Sequence, residues 1–178
     1  DSISAFIKSI RASDPNAALY YLAKMIEAGE DPLFIGRRLI ISASEDIGLA
    51  DPNAMMIANS AFFAVQNIGM PEGRIPLSEA TIYLALAEKS DSSYKAIDRA
   101  LSHIREDTFR QIPNHIRDSH YSGADKLGVK GYKNPHDYGG YVGQSTLPEG
   151  LEDVEFYKAK DAGKEKILLE NYKKRIKE

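Results

Sequence analysis

The sequence predicts an all-α fold, an array of antiparallel helical hairpins followed by a long irregular segment and a terminal helix. Three observations predict it. Through the first hundred residues the apolar positions recur at steps of three and four, and no stretch alternates with period two over a strand's length. Asp14-Pro15, Asp31-Pro32 and Asp51-Pro52 each set a capping carboxylate before a proline in the first helical turn, where a missing N–H costs nothing. Glycines precede the second and third of these starts, and the connections of about three to six residues favour antiparallel neighbours.

Taken in order, Ile3, Phe6, Ile7 and Ile10 mark a first helix. Because that period is already running where the chain opens on Asp1, the sequence reads as a piece of a longer protein. Leu19, Leu22 and Ile26 mark the second helix, stopped at Gly29; Phe34, Ile35, Leu39 and Ile47 mark the third, stopped at Gly48. Met55, Ala58, Phe62 and Val65 mark a fourth that ends at Gly69 and Pro71, Leu77, Ala80, Leu84 and Ala87 a fifth, and Tyr94, Ile97, Leu101 and Ile104 a sixth. Alanines are frequent among them and allow close helix contact. From 108 to 160 the chain is rich in Gly, Pro and Tyr; tyrosines argue against disorder, so this segment is expected to pack on the array. Leu169, Tyr172 and Ile176 then share one face of a terminal helix. The expected organisation is a helical array over 1–107, an irregular segment over 108–160 and a C-terminal helix over 161–178, all in one compact unit.

Composition narrows the function. A chain of 178 residues buries roughly 70% of its unfolded surface without staples. It has no cysteine, which removes disulfides, thiolate catalysis and Cys-ligated zinc and fits a reducing cytoplasm. No apolar run approaches the roughly 20 residues of a bilayer span. The net charge of −3 hides a split: 1–88 carry −5, 89–136 carry +3 with all four histidines, 137–150 carry −2 and 151–178 carry +1. A bias of that size reads first as a solvated mixed-charge face.

Enzymatic patterns are missing. Gly123 and Gly128 have phosphate-loop spacing, but Val129 and Lys130 follow where Lys and then Ser or Thr are needed. His103, His115, His120 and His136 form no metal-ligand pattern, and there is no Gly-x-Ser-x-Gly elbow. No catalytic, cofactor-binding or metal-ligating residue is assigned.

Two binding surfaces are candidates. Glu45 and Asp46 lie at a helix C-terminus, where the backbone dipole disfavours anions, so a cation or N–H from another helix or another subunit should meet them; Arg37 and Arg38 are two turns back, too far for an i,i+4 pair. Met55 with Met56, and Phe62 with Phe63, are adjacent on a helix, so one of each pair can face the core and the other must meet a second layer or a partner. These eight residues are the candidate subunit interface. In "GYKNPHDYGGY" and the residues before it, Lys126, Lys130, Lys133 and His136 interleave with Tyr132 and Tyr138, offering cations and stacking faces to a nucleic acid; the plainer reading has those rings pinning the chain to the array.

Four stretches carry a specific resemblance. "SAFIKSIRASDPNAALYYLAKMIEAGEDPLFIGRRLIISASEDIGLADP", "IGMPEGRIPLSEATIYLALAEKS", "YKAI" and "GYKNPHDYGGYVGQSTLP" closely resemble the C-terminal region of the replication-associated recombination protein A family of AAA+ ATPases, which includes the Werner-helicase-interacting protein of eukaryotes. The resemblance implies a segment similar to the collar of clamp loaders and a C-terminal domain through which the ATPase assembles into a homotetramer. It implies that ATP and Mg are bound upstream, in a part of the parent not included here. The parent would be a DNA-dependent ATPase at stalled or gapped forks, with DNA and single-stranded-DNA-binding protein as partners, cytoplasmic and nucleoid-associated. It supplies no catalytic residues for this region.

Overall fold

The computed structural model describes residues 1–118, 120 and 131–177. Every regular element among them is helical: α1 (Ser2–Arg11), α2 (Pro15–Glu27), α3 (Pro32–Ser42), α4 (Asn53–Ile68), α5 (Arg74–Leu86), α6 (Ser92–Glu106) and α7 (Gly163–Lys177). The starts are made by the capping carboxylates. Asp14 accepts from the N–H of Ala17 at 2.9 Å, Asp31 from Leu33 at 2.9 Å and Asp51 from Asn53 at 3.1 Å. The stops at Gly29 and Gly69 take positive φ, 78° and 70°, a conformation that costs glycine little and a β-carbon more.

The chain divides into two compact units, one of residues 1–98 and 157–168, the other of 99–156 and 169–178. In the first, α1 packs on α2, α3 on α4, α4 on α5, and α5 returns to α2. Helix order is therefore not packing order, because α2 takes α1 and α5, rather than α3, as its main neighbours. Phe6, Ile10, Ile35, Leu39, Leu77 and Leu84 fill the centre. α4 presents Ala54, Ala58, Ala61 and Val65 to it, a stripe of small residues that lets the helices approach closely.

α3 does not end in a plain cap. It runs into a π-helical turn over Ala43–Ile47 and then a 3₁₀ turn over Gly48–Ala50. The wider turn buries Asp46 and Ile47 together.

The second unit has little regular structure. Short 3₁₀ turns form at Asn114–Ile116 and Pro135–Tyr138. The latter is capped by Asn134, whose side chain accepts from His136 N–H, and is closed by Gly139 in the left-handed region. Gln144 ties that turn down: its amide donates to the carbonyl of Gly131 at 2.9 Å and its oxygen accepts from Lys133 N–H at 3.1 Å.

Candidate functional site

The candidate interface residues gather on the outer side of α3 and α4. Neither methionine faces the core, since Ala54 and Ala58 occupy the inward positions. Met55 is 49% exposed, Met56 58% and Phe63 66%; Phe62 lies half-buried against Gly36, with the Arg37 guanidinium 5.6 Å from its ring centre. That position suits a cation over an aromatic face. Exposed Ile41, one turn beyond Arg37, extends the patch, and the Ser44 hydroxyl lies 3.0 Å from the Met55 sulfur. The result is a mostly apolar face in which Arg37 supplies the charge. A recess of about 560 Å³ between α4 and α5, lined by Met56, Ile57, Ala61, Pro76 and Tyr83, adjoins it. Arg38 is half-buried and enters none of this face's polar contacts.

Glu45 and Asp46 are occupied differently. Arg11, at the end of α1, donates to Asp46 at 2.8 Å and reaches Glu45 at 3.4 Å, and the Ser42 hydroxyl donates to Asp46 at 2.8 Å. The hydrogen bond to Asp46 holds the Arg11 guanidinium above its usual pKa. The cation that the helix dipole calls for thus comes from within the chain. Asp46 is buried, while its carbonyl accepts from Ser90 N–H at 2.8 Å. Beside it Lys89 donates to the Ser13 hydroxyl and Ala85 carbonyl at 3.1 Å each and to the Ala87 carbonyl, closing the end of α5; burial lowers its pKa, against the pull of the Asp46 charge.

A second polar cluster went unnoticed in the sequence. Glu165, in the first turn of α7, is 0% exposed. Its carboxylate accepts from the Ser90 hydroxyl, from Ser92 at 2.6 Å and from Tyr157 at 2.7 Å. Burial pushes this carboxyl up, but the three hydroxyls and the Lys160 N–H hold it below its ordinary value. The same burial and the neighbouring charge push Tyr157 up to about 12. Lys160 also pairs with Asp91 at 2.5 Å, which lowers the Asp91 pKa. Between them Gly163, with φ 50°, lies so near the Ala50 carbonyl that a β-carbon there would overlap it. Residues 157–165 are thereby latched onto the α5–α6 connection.

Of the candidate nucleic-acid contacts, Lys126 and Lys130 lie outside the described residues. Tyr132, Lys133, His136 and Tyr138 are all exposed, and Gln144 hydrogen-bonds the backbone of Gly131 and Lys133. Among the described residues no cluster of histidine and carboxylate side chains has a metal-binding arrangement, and no helix is long and apolar enough to cross a membrane.

Residues 12–176 match the family described as MgsA AAA+ ATPase C terminal. The chain belongs to this family. Among proteins it is similar to, the replication-associated recombination protein A of Bacillus subtilis is 49% identical over 99% of the chain, which spans 42% of that protein. The protein of the same name from Escherichia coli is 38% identical over 88% of the chain and 36% of its own length. The ATPase WRNIP1 of Dictyostelium discoideum is 37% identical over 89% of the chain and 18% of its own length. The chain therefore spans less than half the length of these relatives. The latch residues could have been suspected only from "KSDSS", Lys89 to Ser93, a polar run too rich in short hydroxyls for a simple helix start. Glu165 itself carries no sequence signal, being one of two acids in a lysine-rich helix.

Proposed function

We propose that this chain is a non-catalytic oligomerisation domain, through which a AAA+ ATPase of replication-fork maintenance, recombination and repair assembles into a homotetramer. ATP and Mg would be bound elsewhere in the parent, whose partners would be DNA and single-stranded-DNA-binding protein, and which would work in the cytoplasm on nucleoid DNA. The observation that carries the reading is the outward apolar face of α3 and α4, with Ile41, Met55, Met56 and Phe63 exposed around Arg37. Contiguous apolar surface of this kind favours association. Sedimentation of the chain at tens of micromolar tests it: a tetramer is expected, and a monomer refutes it.

A second reading, contact with single-stranded DNA, is favoured by one observation, the exposure of Tyr132, Tyr138 and Tyr141 beside Lys133 and His136. Stacking on exposed rings with nearby cations would give a sequence-tolerant site that weakens as salt rises.

A further inference from the structure

One stretch of the first unit is attached differently from the rest. Beyond residue 98 the chain belongs to the second unit except for residues 157–168, which return to the first. None of their apolar side chains is buried: Tyr157 is 44% exposed, Ile167 55% and Leu168 46%, and Ala159 and Ala162 are half-buried. No helix of the core takes α7 as a main neighbour. The one buried side chain is Glu165. Its carboxylate is met by the hydroxyls of Ser90, Ser92 and Tyr157 and, among the described residues, by no cation. The other fastenings are the partly exposed Lys160–Asp91 pair and the approach of Gly163 to the Ala50 carbonyl.

Such an attachment is weak beside the core. Apolar burial is the dominant favourable contribution to folding, and residues 157–168 add none of it to the central cluster of Phe6, Ile10, Ile35, Leu39, Leu77 and Leu84. A carboxylate taken from water without a counter-charge loses to desolvation much of what its hydrogen bonds return, and an exposed ion pair contributes little. Elements held by few buried apolar contacts open at free energies below that of global unfolding.

We propose that residues 157–168 form a releasable latch, which opens as one piece while the core of the first unit stays folded. The break falls at Ser90. Its hydroxyl faces Glu165, whereas its N–H donates to the Asp46 carbonyl at 2.8 Å, so the α5–α6 connection keeps its tie to the π-helical turn when the carboxylate leaves. Ser90 and Ser92, with hydroxyls 3.0 Å apart, can then bond to each other and to water. With the latch closed, the first unit holds the chain on both sides of residues 99–156; with it open, the chain passes between its two units through α6 alone. Release therefore decides whether that segment is tethered at one end or at both. The latch works within a single copy, whatever the assembly.

The chain has no cysteine, so a single introduced thiol reports opening without background. Ser90→Cys and Ser92→Cys each place one beneath the latch, and Val65→Cys places one in the core, where Val65 is 3% exposed. Labelling of the 178-residue chain by an aromatic disulfide reagent, with circular dichroism to verify folding, should be at least about 100-fold faster at positions 90 and 92 than at 65. It should also rise less steeply with urea there, because less surface is exposed on opening. Ile7→Val, a core change away from the latch, should speed labelling at 65 several-fold and leave 90 and 92 unchanged. Glu165→Gln should speed 90 and 92 roughly tenfold. Equal acceleration of all three positions by Ile7→Val, labelling at 90 and 92 as slow as at 65, or no response to Glu165→Gln would overturn the proposal. So would failure of both serine variants to fold, because the core does not need a latch that can leave.

Discussion

Replacing Glu165 probes the latch in a way that separates charge from shape. In Glu165→Ala the hydroxyls of buried Ser90 and Ser92, and that of Tyr157, lose their acceptor. Ser90 and Ser92 already lie 3.0 Å apart and can satisfy each other in part, so about two groups are left unpaired. At about 1 to 3 kcal/mol for each orphaned buried group, the loss should be about 3 kcal/mol, or roughly 6 to 12 °C in Tm for a chain of this size. Glu165→Gln keeps the shape and one acceptor, replaces charge-assisted bonds by neutral ones and relieves the burial of the charge. Its cost should be smaller, about 1 to 2 kcal/mol. The pH dependence distinguishes the two causes. The Glu165 carboxyl titrates below its ordinary value in the folded chain, so its stabilising contribution is complete above the unfolded carboxylate pKa and is lost as pH falls through the folded one. Urea unfolding of wild type and Glu165→Gln should therefore differ by a constant amount from neutral pH down to about pH 5, then converge in more acid solution. A gap that persists unchanged under acid conditions, or a Glu165→Gln chain as stable as wild type at neutral pH, would refute the assignment of an ionised, hydroxyl-bound carboxylate.

Four further outcomes follow from the same contacts. Gly163→Ala should destabilise by about 2 kcal/mol or more in thermal unfolding, since it combines a positive φ with a clash against the Ala50 carbonyl. Asp46→Ala should cost about 3 kcal/mol in urea titrations, because it strips the acceptor from buried Ser42 and the partner from Arg11; Glu45→Gln, at the rim of the same pair, should cost under about 1 kcal/mol. Met56→Glu with Phe63→Glu should shift the sedimentation profile toward smaller species without lowering the monomer's helicity by circular dichroism. Titration of fluorescent single-stranded oligonucleotide at two salt concentrations should weaken for Lys133→Ala and for Tyr132→Ala, with a shallower salt slope only for the former; equal salt slopes in both would remove the phosphate contact.

The sequence was informative wherever local chemistry decides the outcome. Asp14, Asp31 and Asp51 cap helix starts because a short carboxylate before proline has few better uses, and Gly29 and Gly69 stop helices because few other residues tolerate their φ. The need of Glu45 and Asp46 for a cation followed from the helix dipole, but its source did not. Arg11 lies 35 residues from Asp46, and that meeting depends on how α1 packs against the third and fifth helices. Periodicity also does not say which side of a stripe is wet. The spacing of Met55 and Val65 resembles core spacing, yet Ala54 and Ala58 took the inward positions and pushed both methionines out. Glu165 was invisible for a related reason: a glutamate in a lysine-rich helix has the composition of a solvated face, and only its meeting with Ser90, Ser92 and Tyr157 makes burial tolerable.

The two kinds of surprise point in one direction. Charges that a solitary domain would leave in water are here buried and satisfied, Asp46 by Arg11 and Ser42 and Glu165 by three hydroxyls, and half-buried Lys89 is held by two carbonyls and a serine. Apolar side chains that such a domain would take inside are left in water along α4 and α6. Burying a charge gains little stability over a well-packed apolar group, whereas exposing a large apolar side chain forgoes about 1.5 to 3 kcal/mol. A chain folding only for its own stability gains nothing from that exchange. On the proposed assembly role it becomes favourable, because a second copy covering an apolar stripe would recover the hydrophobic free energy that folding left unused. If the chain assembles as proposed, removing the latch should weaken assembly as well as stability, and Glu165→Gln should lower the oligomer fraction in sedimentation under conditions where the chain is still fully folded.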